Sequence, residues 1–241
     1  MNTNKILLGI AIALVIYLGV SSFGFFTSIK GSGNVIRETR NLETFHALEA
    51  GGEFYITVKQ GTPQQVIVES DDNILPIIIT KVQHGELKIS TEKASIDATK
   101  MNITIVVTNI NEFDISGAST IKTIGYIKSA KMEIECSGAS EANMQLDCES
   151  LDIDFSGASE GVILGNTSEL EIEASGASHI NCERLIANNV SADASGASSI
   201  SLSARKYIRI DASGASKVNY ISNGATVEIE SSGASNVTKK K

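Results

Sequence analysis

Seven carboxylates stand at one recurring place in the chain: Asp114, Glu135, Asp154, Glu173, Asp193, Asp211 and Glu230. Each lies two residues before a Ser-Gly-Ala-Ser tetrapeptide. Such a column offers oxygen ligands to Ca²⁺, and a ladder of cations along it would bridge the chain to a polyanionic partner such as envelope polysaccharide. A regular column supplies few converging oxygens, however. An acidic row also keeps a strand face soluble and stops lateral sheet association. Carboxylates about 4.8 Å apart repel by about 0.9 kcal/mol per pair in water before screening, a cost that an exposed face tolerates.

Other residues invite chemistry less well. Ser175, His179 and Glu173 assemble a nucleophile, base and acid on paper. The same Ser and acid recur in six other copies without a His, so a structural role explains them better. His46 and His84 are scattered. Cys136, Cys148 and Cys182 are an odd count without C-x-x-C spacing, which reads as buried thiols acting as small hydrophobes. The repeated Ser hydroxyls flank a Gly corner and do not line a broad Thr-rich face, which argues against ice binding. Polysaccharide lyases and hydrolases use clustered carboxylates or a basic residue in a groove. Here the acids are regular, and no Arg or Lys recurs beside them. The chain has no Trp for sugar stacking, though Tyr55, Tyr126, Tyr207 and Tyr220 remain. The sequence therefore reads as non-enzymatic, with no catalytic residues and no metal site assigned.

The tetrapeptide itself sets the architecture. It begins at Ser116, Ser137, Ser156, Ser175, Ser195, Ser213 and Ser232, about nineteen residues apart. Three positions before each copy stand Phe113, Ile134, Ile153, Ile172, Ala192, Ile210 and Ile229. One position before stand Ile115, Cys136, Phe155, Ala174, Ala194, Ala212 and Ser231. Apolar, acidic, small is a period-two alternation, a strand with one buried and one wet face. After the corner, Ile121, Ile180, Ile200, Val218 and Val237 resume the alternation, and the third copy is expected to slip by one, to Val162.

One such element cannot bury its apolar side alone, whereas a stack of them can. The spacing predicts an all-β fold, a right-handed parallel β-helix (β-solenoid) with coils of about nineteen residues. The corner glycines Gly117, Gly138, Gly157, Gly176, Gly196, Gly214 and Gly233 are expected in single file, with the Ala of each corner pointing inward. Ala47–Val58, ALEAGGEFYITV, reads as a degenerate eighth copy with Glu49 in the acidic slot and Gly51-Gly52 at the corner. Upstream of the repeat, Phe54–Val58, Gln65–Glu69, Glu86–Ser90 and Ile103–Val107 read as strands. Ile74–Val82 reads as a short helix or a buried strand.

With 20 Lys plus Arg against 28 Asp plus Glu, the net charge of −8 argues against nucleic acid as a partner. The terminal Lys239, Lys240 and Lys241 read as a solvated tail that protects the edge of the last coil. Residues 1–26 carry an unbroken apolar run from Ile6 to Val20, followed by Ser21 and Ser22. This is a signal peptide or an N-terminal membrane anchor, and it is the expected means of any membrane association. The rest of the chain is then exported.

GSGNVIRE (31–38), LEAGGEFYITVKQG (48–61), VIVESDDNIL (66–75) and HGELKIS (84–90) follow one another in an order that resembles the head GIN domain family of auto-transporter adhesins. The resemblance covers residues 31–238, with 31–110 the irregular N-terminal part and 111–238 the regular repeats. It implies a right-handed parallel β-helix in an exported cell-envelope protein and supplies no catalytic residues. The expected function is a non-enzymatic adhesion or interaction module. Its partner would be an envelope or host-surface polysaccharide or protein. The alternatives are a β-helical carbohydrate-active enzyme and a solenoid that self-assembles end to end.

Overall fold

The structure is a computed structural model that describes residues 28–92 and 95–240. The segment 1–26, expected to be a signal peptide or anchor, lies outside the described residues. No helix among the described residues is long and apolar enough to cross a membrane.

Strands of successive repeats lie side by side, parallel and in register, and close a stack of coils. Before the corner, Phe113, Ile134, Ile153, Ile172, Ala192, Ile210 and Ile229 form one inward file. After the corner, Ile121, Ala142, Gly161, Ile180, Ile200, Val218 and Val237 form another. The core sits between these two walls as a continuous column of apolar side chains. Parallel pairing across coils is what a period-two strand with one apolar face must find to bury that face.

The corner explains the tetrapeptide. Each corner Gly of the repeats has a positive φ, between 68° and 76°. A Cβ built on Gly176 would lie 2.6 Å from the carbonyl oxygen of Gly157, and the same close approach recurs from Gly117 to Gly233. The glycines do stand in single file. The following Ala donates its backbone N–H to the Gly carbonyl of the coil before it at 2.7 Å, from Ala118 on Gly52 to Ala234 on Gly214. The two-residue alternation runs straight through the corner, and this corrects the expected side-chain directions. Ala118, Ala139, Ala158, Ala177, Ala197, Ala215 and Ala234 face solvent, and the second Ser of each corner turns inward. Ser119, Ser140, Ser159, Ser178, Ser198 and Ser216 are buried. The Ser159, Ser198, Ser216 and Ser235 hydroxyls donate to the carbonyls of Cys136, Ala174, Ala194 and Ala212, which belong to the preceding coil. At these four corners the inward hydroxyl is tolerated because it staples one coil to the next, while the Ser178 hydroxyl is buried without such a bond.

The third copy does not slip. Gly161 pairs with Ala142 and Ile180 at the inward position, and Val162 is exposed. The reason is volume. Phe155 fills the space that a side chain at 161 would need, since a Cβ there would meet the ring at 2.5 Å. In several coils the two inward positions flanking the corner trade volume, Phe155 with Gly161, Ala174 with Ile180 and Ala194 with Ile200, whereas Ile115 with Ile121 and Cys136 with Ala142 do not.

Toward the N-terminus the stack continues. Ala47–Gly52 lies between Glu86–Thr91 and Glu112–Gly117, and Gly52 is the register partner of Gly117, so Ala47–Val58 is indeed a further copy of the coil. Tyr55–Gln60 lies between Met101–Val107 and Thr120–Thr123. The end is then closed by antiparallel strands. Ile78–Gln83 covers Glu86–Thr91, while Gln65–Asp71 covers Met101–Val107 and is itself covered by Val35–Arg40. The ambiguous segment 74–82 is both things expected of it, one 3₁₀ turn at Leu75–Ile77 and then a strand. Residues 31–34 are clasped by the turn at Asp71-Asp72-Asn73. Gly33 and Thr99 donate backbone N–H groups to the buried Asp71 carboxylate at 2.7 Å, and Asn34 donates its side-chain amide to Asp72.

At the opposite end, Thr226–Ser231 and Asn236–Lys239 each pair on one side only among the described residues. Ile229 is accordingly 43% exposed, whereas its counterparts one and two coils earlier are buried. Lys240 is not a free solvated tail. Its ammonium pairs with Glu183 at 2.7 Å and its backbone N–H donates to Tyr220.

Candidate functional site

The register places Glu49, Asp114, Glu135, Asp154, Glu173, Asp193, Asp211 and Glu230 in one outward file. Parallel strands set neighbours about 4.8 Å apart. Beside the middle of this file runs a shallow cavity of about 400 Å³, shared by Asp154, Glu173, Asp193 and Asp211 with the first Ser of their corners. Burial among adjacent coils pushes the Asp114, Glu135, Asp154 and Glu173 carboxyls above the usual carboxylate range. Neighbouring carboxylates push the same way: Asp152 for Asp154, and Asp114 with Glu133 for Glu135. At the capped end the next slot holds Lys88, which forms ion pairs with Glu49 and with Glu86. A cation thus stands where the column meets the cap.

Sequence reasoning missed a second column. Four residues before each corner, Glu112, Glu133, Asp152, Glu171, Ser191, Arg209 and Glu228 share the same outward wall. The signal was available as a further step of the same alternation, and only Ser191 and Arg209 interrupt its acidity. Two adjacent columns make an acidic face. It is not a built metal centre, since no group of three or more His, Cys, Asp or Glu close enough to hold an ion occurs among the described residues.

Ser175, His179 and Glu173 are not brought together. Glu173 projects from the wall before the corner and His179 from the wall after it, exposed and in register with Glu160 and Ser199. All three cysteines are free and buried, and burial pushes the Cys136 and Cys182 thiols up to about 12, far from a reactive thiolate. Of the tyrosines, Tyr220 is buried, Tyr207 donates its hydroxyl to Glu228, and Tyr55 and Tyr126 stand out into solvent.

No curated protein matches the sequence. Solved structures share the fold. One, described as a "putative adhesin" from Bacteroides fragilis NCTC 9343, superimposes with a TM-score of 0.82 at 20% identity, over 88% of this chain and 100% of that one. A second "putative adhesin", from Parabacteroides merdae ATCC 43184, gives 0.72 at 17% identity over 89% and 99%. A "putative lipid binding protein" from Parabacteroides distasonis ATCC 8503 gives 0.72 at 17% identity over 89% and 100%. Residues 44–224, which hold most of the cap and most of the repeats, match the family model described as "Putative auto-transporter adhesin, head GIN domain", and the chain belongs to that family.

Proposed function

We propose that the chain is an exported, non-enzymatic adhesion or interaction module of the cell envelope, and that its acidic face is a contact surface. The partner is an envelope or host-surface polysaccharide or protein. The observation that carries this reading is the acidic file from Glu49 to Glu230, which repeats one charged group on every coil of the stack. A periodic array meets a repetitive partner many times at once, so weak single contacts sum to avidity. Cationic groups on the partner, or divalent ions bridging to an anionic polymer, would engage it.

The test is retention of cells and purified surface polysaccharides on immobilised full-length chain, with glycan chain length followed in parallel. Retention that weakens with salt and with Glu135→Gln, Asp154→Asn and Glu173→Gln together, and that leaves the glycans intact, is the expected result. Depolymerised glycan would favour a β-helical carbohydrate-active enzyme instead, and absence of any retention would overturn the adhesion reading.

A further inference from the structure

The repeat breaks at one outward place. In the coil formed by Ala47–Gly52 and Tyr55–Gln60, Gly52 aligns with Gly117, so Glu53 takes the position that is a solvent-facing Ala in the seven later corners. Phe54 takes the position of the inward Ser, and Tyr55 the first outward position of the following wall. The file running from Tyr55 continues through Thr120, Glu141, Glu160, His179, Ser199, Lys217 and Asn236, with no other Phe, Tyr or Trp. The stack asks nothing of these two positions, because later coils satisfy it with Ala and with small or polar residues. Yet Tyr55 is 64% exposed, more than any other large hydrophobic side chain among the described residues. An exposed ring at a position that packing leaves free is available to a ligand where a groove adjoins it.

Both residues border a groove of about 770 Å³ between this corner and the segment Ile96–Asn102. That volume lies within the roughly 300–1,000 Å³ of small-ligand clefts. Ile96 and Ala98 give the groove an apolar wall, and Asp97 and Asn102 line it as well. Asn102 is the register partner of Tyr55, so its amide lies one strand away from the ring. The side chains of Glu53, Asp97 and Asn102 form no hydrogen bond or ion pair among the described residues, whereas Lys100 is held by Glu69 at 3.0 Å.

We infer that this groove is a saccharide subsite for an uncharged pyranose unit. A pyranose has an apolar C–H face that stacks on an aromatic ring, and a rim of hydroxyls that need acceptors and donors fixed around it. Tyr55 supplies the platform, Glu53 and Asp97 supply acceptors, and Asn102 supplies both an acceptor and a donor. Two carboxylates at the rim, with Lys100 of the lining paired to Glu69, disfavour an anionic sugar. The inference rests on the proposed role as an envelope interaction module and assigns one class of partner to one place on it.

The experiment is a glycan array of neutral, acidic and amino sugars, probed with the full-length chain in a non-glycosidic detergent. The variants are Tyr55→Ala, Tyr55→Phe and Asn102→Ala, with melting temperature as the check on folding. A neutral-glycan signal that falls about tenfold in Tyr55→Ala, as expected for loss of an aromatic anchor, and that persists in Tyr55→Phe supports the subsite. A signal unmoved by Tyr55→Ala but lost when Glu135, Asp154 and Glu173 are neutralised overturns the subsite and leaves the acidic-face reading standing. Tyr55-dependent retention of a lysine-rich peptide in place of any glycan overturns the assigned occupant. Binding of neither cells nor glycans by the parent chain overturns both proposals together.

Discussion

Replacing Gly176 with Ala tests the stacking argument at its most restrictive point. The residue has φ +68°, and an added Cβ would lie 2.6 Å from the Gly157 oxygen and 3.1 Å from the Gly157 nitrogen. Left-handed backbone costs an L-residue about 1–2 kcal/mol. The clash is with backbone, so relief means moving one coil off the next and lengthening the 2.7 Å bond from Ala177 to Gly157. Losing that bond adds about 1 kcal/mol, and the lower entropy of the unfolded Ala chain returns about 0.4–1 kcal/mol. The net expectation is about 1–2.6 kcal/mol, rising as the strain passes to Gly196 above. Gly125 provides the control. Its φ is +73°, yet nothing lies within 4 Å of a Cβ placed there, so Gly125→Ala carries the conformational cost alone, about 0.5–1 kcal/mol. Urea unfolding of full-length variants, with the slope checked against the parent, measures both. If the two substitutions cost the same within about 0.5 kcal/mol, the single file of glycines is not what holds successive corners together.

Phe155→Ala should cost about 3–5 kcal/mol and Gly161→Ala about 1–3 kcal/mol. The double variant Phe155→Ala, Gly161→Ile adopts the division of space seen at Ala174 and Ile180, so a denaturation cycle should show strong favourable coupling. Asp71 is a carboxylate that burial disfavours but that hydrogen bonds from Thr99 and Gly33 hold below its ordinary range. Its contribution is therefore present above the unfolded value near 3.9 and is lost as pH falls through the folded value; Asp71→Asn should melt lower at pH 7 and lose less on acidification below about pH 4. The acidic face has the opposite sign. Glu135, Asp154 and Glu173 are raised in the fold, so the stability linked to them is complete below the unfolded values and is lost as pH rises through the folded ones. The contribution of these three residues to thermal stability should grow as pH falls through their folded values toward the unfolded values of about 4, and neutralising them should raise the pH 7 melt and flatten that slope.

What the sequence made legible was whatever depends on period alone. The inward file from Phe113 to Ile229 and the outward file from Asp114 to Glu230 follow from two-residue alternation plus a constant spacing, and the register lies as the spacing demands. The corner was legible as a Gly turn, and its directions were legible as well. Counting by twos from Phe155 passes through Gly157 to Ser159 and Gly161, which face inward, so an inward Ala158 departs from the alternation that the chain keeps. Gly161 was misjudged for a second reason. Its role is fixed by the ring of Phe155, six residues earlier, and a one-dimensional pattern does not show which side chain already occupies the space. The antiparallel closure by Val35–Arg40 and Gln65–Asp71 was hidden too, because strand pairing across about thirty residues leaves no local mark.

The same separation of constraints bears on function. Inward positions are set by volume and corner positions by backbone geometry, so their regularity would arise in any solenoid of this size. Outward positions are set by neither. An outward file that stays acidic through eight coils works against the stack that carries it, since neighbouring carboxylates raise the cost of ionising Glu135 and Glu173. Lys88 shows that the slot accepts a cation where the stack meets its cap, and Arg209 shows that the adjacent column accepts one within the repeats. Packing therefore does not explain the unbroken charge. Protection of the strand face from lateral association is one account of it; the contact surface proposed above is the other, and that proposal predicts that cationic substitutions in the file, such as Asp154→Lys, improve stability while abolishing retention of the partner.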